Sequence, residues 1–285
     1  MAGGPWGWIM ALAARAVAPA LPPESPDGGG DDDARPTWDG GWWLGAQHRQ
    51  AHRGRIGGAI RPWLVVVHTT DVGPSDRTWA GMMDRLEHQA GEGNGAHFWI
   101  GRDTGQGVIQ SVPVDRNGNH AGGPDGKHGW IEVGGQRLHP NRVAIGIEVS
   151  GAGLVVQRGG RWYARAGAGV TGAPLPDADV EPDPRRPGFG WHKPTDYQLS
   201  ELAALLAAFG DCPLRVAAPA AWSVVAHTGD DRQGPTYGAP PATAPRVLIG
   251  GVPVVGHVTL DPRRKGDPWP PLGRWLQGRT VSWAE

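Results

Sequence analysis

The chain has 285 residues, room for one substantial domain and an appendage at about 100 to 200 residues per domain. Its 27 basic and 28 acidic residues give a formal charge of -1, so no general electrostatic attraction draws it to nucleic acid or to an anionic membrane. With a single cysteine, Cys212, it can form neither an intrachain disulfide nor a cysteine cage for a structural zinc.

Residues 1 to 57 read as an N-terminal extension. Gly28 to Gly30 followed by Asp31 to Asp33 is a solvated break. Trp6, Trp8, Trp38, Trp42 and Trp43 either cap a neighbouring core or stack on sugar rings. The apolar run Trp8 to Ala14 is too short to span a bilayer. No Lys or Arg precedes it and Arg15 ends it, so it makes a poor secretory signal, and a short amphipathic helix is the alternative.

From residue 58 to 285, strand and helix patterns alternate as in an α/β fold with a mixed central sheet flanked by helices. The 47 glycines and 28 prolines then belong mainly to connections, because the valine-rich runs read as buried strands. Leu64 to His68 is the first of these. Trp79, Met82, Met83 and Leu86 recur at helical spacing after Gly73-Pro74-Ser75. Ala96 to Ile100 and Val108 to Val112, joined by a glycine-rich turn, read as a hairpin. In Val143 to Val149 the period of two puts Val143, Ile145, Ile147 and Val149 on one face and Ala144, Gly146 and Glu148 on the other, so one carboxylate stands among small residues. Residues 151 to 194 look like an insertion over one rim of the site, with a small hairpin around Arg161 to Arg165. Thr195 and Gln198 form a capping box ahead of Leu199, Leu202, Leu206 and Phe209, and Cys212 is expected to be a buried thiol at the end of that helix. Trp222 to His227 and Val252 to His257 read as the last strands of the sheet, and Pro270 to Gln277 as a closing helix.

Two valine-rich strands therefore end in histidine, His68 and His257, and Asp267 follows the second at ten residues with Lys265 just before it. Two imidazoles and a carboxylate occupy three corners of a catalytic zinc tetrahedron and leave the fourth for water. Magnesium and calcium would ask for more oxygen ligands. Glu148 is the candidate general base, and Lys265 the candidate donor to a developing oxyanion. His120, in a loop of small residues, is expected to touch substrate together with Asn119, and His97 is expected there or in the interior. His227 imitates a ligand strand, but no lysine and Asp-Pro pair follows it at the right spacing.

Four blocks in order carry a resemblance: Val65 to Thr70 (VVVHTT), Ala96 to Pro113 followed by Asn119 to Gly122 (NHAG), Val143 to Gly151 (VAIGIEVSG), and Val254 to Pro268 (VVGHVTLDPRRKGDP). Across roughly residues 58 to 280 the chain resembles the zinc-dependent N-acetylmuramoyl-L-alanine amidases, a group with an amidase or peptidoglycan-recognition-protein fold. The resemblance implies Zn2+ on His68, His257 and Asp267, with Glu148 and Lys265 catalytic. It departs from the family at Asn119, where a tryptophan usually precedes His-Ala-Gly, and at Trp269, where a glycine usually follows Asp-Pro.

The implied activity is hydrolysis of the amide between N-acetylmuramic acid and L-alanine in peptidoglycan or a muropeptide. Two rivals differ in class: a peptidoglycan-binding recognition module without turnover, and a zinc amide hydrolase with another substrate. With no nucleic acid and no membrane span expected, the protein would be made in the cytoplasm. There it would recycle muropeptides, or else it would reach the wall as a phage endolysin or as an antibacterial effector with a delivery machinery or an immunity protein as partner.

Overall fold

The computed structural model describes residues 37–70, 76–89, 95–121, 129–166, 169–184, 186–214, 216, 222–225, 247–249, 252–256 and 270–278. The compact unit that contains them is Pro36–Glu285.

Its centre is a seven-stranded mixed sheet in the order β18 (Val247–Ile249), β19 (Val252–Gly256), β5 (Leu64–Thr69), β11 (Ala144–Val149), β6 (Phe98–Ile100), β7 (Val108–Gln110) and β3 (Gln47–His48). The inner strands β19, β5, β11 and β6 are mutually parallel. The β6–β7 hairpin and the β18–β19 pair are antiparallel. Parallel inner strands are covered on both faces, which is why Leu64 to Val67 and Ala144 to Val149 are continuous buried runs.

Alternation then sorts the side chains. One face carries Val65, Val67, Ile145, Ile147, Phe98 and Ile100. It is sealed by α2 (Asp196–Ala208), which contributes Leu202, Leu205 and Leu206, and by α3 (Pro270–Gly278), which contributes Leu272 and Leu276. The expected capping box is present, with the Gln198 N–H donating to Thr195 Oγ1 at 3.2 Å and the Thr195 N–H to Gln198 Oε1 at 3.1 Å. Cys212 is buried at the end of this helix. The opposite face carries Leu64, Val66, His68, Ala144, Gly146, Glu148, His97 and Trp99. Towards β7 it meets α1 (Asp76–His88) through Trp79, Met83 and Leu86. Towards β19 it meets a small antiparallel sheet of β10 (Gln136–Leu138), β9 (Trp130–Val133) and β17 (Trp222–Val225) through Ile131 and Trp222.

Three expectations change. Residues 37 to 57 are not an appendage. Trp38 and Trp43, in the ribbon β1 (Trp38–Asp39) and β2 (Trp42–Trp43), are buried in the main core, β3 is a strand of the main sheet, and β4 (Ile56–Ala59) pairs with β8 (Arg116–Gly118). The ribbon is held by buried Gln110, which accepts from the Trp43 N–H at 2.7 Å and donates to the Gly41 carbonyl at 2.7 Å. Two of the tryptophans weighed for sugar stacking are therefore core. Trp222 to Val225 belongs to the three-stranded sheet and pairs with β9, because Trp222 finds its apolar cover there. The insertion is a five-stranded antiparallel sheet: β14 (Gly169–Leu175), β13 (Arg161–Ala166), β12 (Leu154–Arg158), β16 (Phe189–His192) and β15 (Val180–Pro182). Val155, Trp162, Ala164, Leu175 and Val180 give it a core of its own. Trp162 lies over Gly190, where a Cβ would meet Val180 Cγ1 at 2.8 Å and Trp162 Cζ3 at 3.3 Å.

Candidate active site

His68 and Glu148 are register partners in the adjacent parallel strands β5 and β11. Partners in neighbouring strands lie about 4.8 Å apart and point to the same face. Imidazole and carboxylate therefore stand side by side at the carboxyl ends of the sheet, both within the last two residues of their strands and both buried. On the far side of His68, β19 runs parallel to β5 with Val254, Val255 and Gly256 beside Val65, Val66 and Val67. His257 is the next residue in the chain. His257, Lys265 and Asp267 lie outside the described residues, as does His227.

Below this pair runs a seam of imidazoles between the two apolar clusters of the same face. His120 packs edge to face against His68, with ring centroids 5.3 Å apart, and against His97 at 5.6 Å. His97 has no exposed surface. The Gly146 N–H donates to its Nδ1 at 3.0 Å, so its proton sits on Nε2, which donates to the Arg116 carbonyl at 2.9 Å. Burial lowers its pKa to about 4 and keeps the ring neutral. Both nitrogens of His97 are taken by main chain and no surface remains for a ligand, so it braces β6 against β11 and the seam rather than touching substrate.

His120 is also mostly buried, at 6% exposure. It is not displayed in an open loop. Its ring lies on Gly146, where an added Cβ would come within 2.3 Å of His120 Cγ. The small-residue face of β11 thus makes room for an imidazole as well as for the carboxylate. The loop is clamped from behind by Asn141, whose Oδ1 accepts from the N–H groups of His120 at 3.2 Å and Ala121 at 2.7 Å, while its Nδ2 donates to Asn119 Oδ1 at 3.1 Å. Asn119 therefore enters the same network instead of standing alone as a substrate contact. No periodicity in the sequence singles out Asn141; its role depends on the fold bringing residue 141 against residue 120.

On the opposite face, at the same end of the sheet, Thr69, Val149, Ser150 and Gly151 line a cleft with His192 and Lys193 of the insertion and Leu272 of α3. The insertion thus borders the strand ends. Its exit is tied to the β6–β7 turn: the Arg102 guanidinium donates to the Lys193 carbonyl at 3.1 Å, and Thr195 Oγ1 donates to the Arg102 carbonyl at 2.8 Å. Burial, followed by the charge of Arg102, lowers the His192 pKa to about 3.

Strand ends and the loops that follow them are where folds of this kind carry chemistry, and the paired imidazole and carboxylate lie there. The N-acetylmuramoyl-L-alanine amidase family model matches residues 58–270. The chain belongs to the N-acetylmuramoyl-L-alanine amidase family. Among solved structures this amidase is similar to a selenomethionine derivative of AmpD, at 18% identity over 85% of this chain and 98% of the other, with a TM-score of 0.42. It is similar to AmpDh3 from Pseudomonas aeruginosa at 17% identity over 80% and 63%, with a TM-score of 0.41. A mutant endolysin from Bacillus subtilis matches at 23% identity over 37% and 60%, with a TM-score of 0.28. No curated protein matches the chain significantly. Among the described residues, no helix is long and apolar enough to cross a membrane.

Proposed function

We propose that this peptidoglycan amidase is a zinc enzyme that cleaves the amide between the lactyl group of N-acetylmuramic acid and L-alanine, with Glu148 as general base. The observation that carries the reading is the register pairing of His68 with Glu148. The donor set suits zinc: a buried, rigidly held imidazole on β5, a second histidine one residue beyond the parallel strand beside it, and Asp267 as the oxygen ligand. Held by His68, His257 and Asp267, zinc would supply Lewis acidity toward the scissile carbonyl and the activation of a water molecule.

The chain's own residues then divide the work. Glu148, buried among small residues, takes the water's proton and returns it to the leaving amine of L-alanine. Lys265 stabilises the charge that develops on the carbonyl oxygen. His68 is kept in place by the hydrogen-bonded loop 119–121. The insertion borders the strand ends and adds surface there. Action on the wall after lysis or delivery suits that added surface better than recycling in the cytoplasm. A holin, a secretion apparatus or a small immunity protein encoded beside the gene would identify the setting.

Glu148→Gln tests the assignment. It keeps size and most hydrogen bonding but cannot accept the water's proton, so turnover should fall on the order of a hundredfold or more, with zinc and muropeptide binding retained. A variant with wild-type turnover removes Glu148 from the mechanism. Wild-type protein that is fully loaded with zinc, binds muropeptide and releases no peptide is a recognition module instead.

A further inference from the structure

We infer that His120 is a positioning residue that sets the tautomer of His68, so that His68 binds its metal through Nδ1. The inference rests on the zinc reading above and extends it to a residue outside the ligand set.

The argument follows hydrogen-bond valence. His120 Nε2 lies 3.1 Å from the Ala144 carbonyl, which can only accept, so Nε2 carries the proton. In the neutral ring, Nδ1 is then an acceptor. That nitrogen lies 3.1 Å from His68 Nε2, which must therefore be the donor. The lone pair of His68 consequently falls on Nδ1. An outer imidazole that takes the proton of a ligating imidazole fixes ring orientation and raises ligand basicity, as carboxylates and carbonyls do behind other metal-bound histidines.

Two further observations show that the place is built for this ring. Gly146 is the residue under His120, and any side chain there would collide with the ring. Asn141 fixes the backbone of the loop with two hydrogen bonds to one oxygen. The chain of positions is thus Asn141 to loop 119–121, His120 to His68, with Ala144 as the terminal acceptor.

The test compares wild type, His120→Leu and His120→Asn as whole proteins. Asn places an acceptor oxygen close to the site of Nδ1; Leu has a similar volume and no acceptor. Thermal melting selects the variants that fold. Zinc affinity, measured by competition with a chromophoric chelator, should fall 10- to 100-fold in His120→Leu, the usual range for losing such a partner, and should stay within a few-fold of wild type in His120→Asn. Imidazole 15N spectra of the metal-free protein should show His68 protonated on Nε2, and addition of zinc should shift Nδ1. Zinc coming to Nε2 of His68, or wild-type affinity in a folded His120→Leu, overturns the inference. If His120→Leu does not fold, Gly146→Ala serves as the second handle, because it displaces the ring without deleting it and should weaken zinc in the same direction. Unchanged affinity there also overturns it. If the wild type binds no zinc, the zinc reading fails, while the metal-free spectra still decide the tautomer of His68.

Discussion

Trp43 provides a sharp test of where the folded unit begins. It is 8% exposed, packs edge to face on Phe98 with ring centroids 6.4 Å apart, and its main-chain N–H satisfies Oε1 of Gln110, which is wholly buried. Trp43→Ala should cost about 3 to 5 kcal/mol, the range for truncating a large aromatic in a core. In a unit of this size each kcal/mol moves Tm by roughly 2 to 4 °C, so the melt should drop by roughly 6 to 20 °C. Shortening the chain to start at Gly57 removes more. It uncovers the surface under Trp38 and Trp43, deletes the Nε1–H donor of Trp38 to the Ala208 carbonyl, strips β3 from the edge of β7, and leaves Gln110 without the Gly41 carbonyl. An orphaned buried polar group alone costs about 1 to 3 kcal/mol. Against a total stability of about 5 to 15 kcal/mol, that form should not fold cooperatively. Thermal denaturation followed by circular dichroism measures both. A chain starting at Gly57 that melts within a few degrees of the full protein would refute the reasoning.

The other predictions concern metal, acid and charge. The purified protein should carry about one zinc per chain. His68→Ala and His257→Ala should both lose it while His227→Ala keeps it; elemental analysis showing the reverse for positions 227 and 257 would reassign the ligand. His97 is held neutral with its pKa lowered to about 4, against about 6.5 in the unfolded chain. The unfolded form therefore binds the extra proton between those values, so the contribution is complete above about pH 6.5 and lost as pH falls toward 4, on the order of 3 kcal/mol. His192, lowered to about 3, acts in the same direction; denaturation midpoints that do not change from pH 7 to 4 would contradict both. Lys265→Met should retain zinc and muropeptide affinity yet slow turnover, because the charge it removes matters chiefly in the transition state.

Local signals proved readable where one element decides its own fate. The stripe Trp79, Met82, Met83 and Leu86 became α1, Thr195 and Gln198 became the capping box of α2, and the alternation in 143–149 placed Glu148 opposite the main core. What failed was long-range pairing. Trp222 to Val225 has the valine-rich look of a main-sheet strand, yet its partner is β9, and nothing in a strand's own residues names its neighbour. The glycine- and arginine-rich stretch 151–194 reads as an insertion with only a small hairpin around Arg161 to Arg165, because its exposed strand β14 carries little apolar alternation, but Trp162, Val155 and Leu175 suffice for a small core. In the candidate site, the strand-end position of His68 and the small-residue face that carries Glu148 were legible from the sequence pattern. The burial of His120 was not, because it depends on Gly146 and on Asn141, which is 21 residues away in sequence.

Product identity tests the central claim most directly. Zinc-loaded protein incubated with a muropeptide should yield, by mass spectrometry, a glycan fragment ending in a free lactyl carboxylate and a peptide beginning with a free L-alanine amine. Intact muropeptide after binding, or cleavage at any other bond, would contradict it.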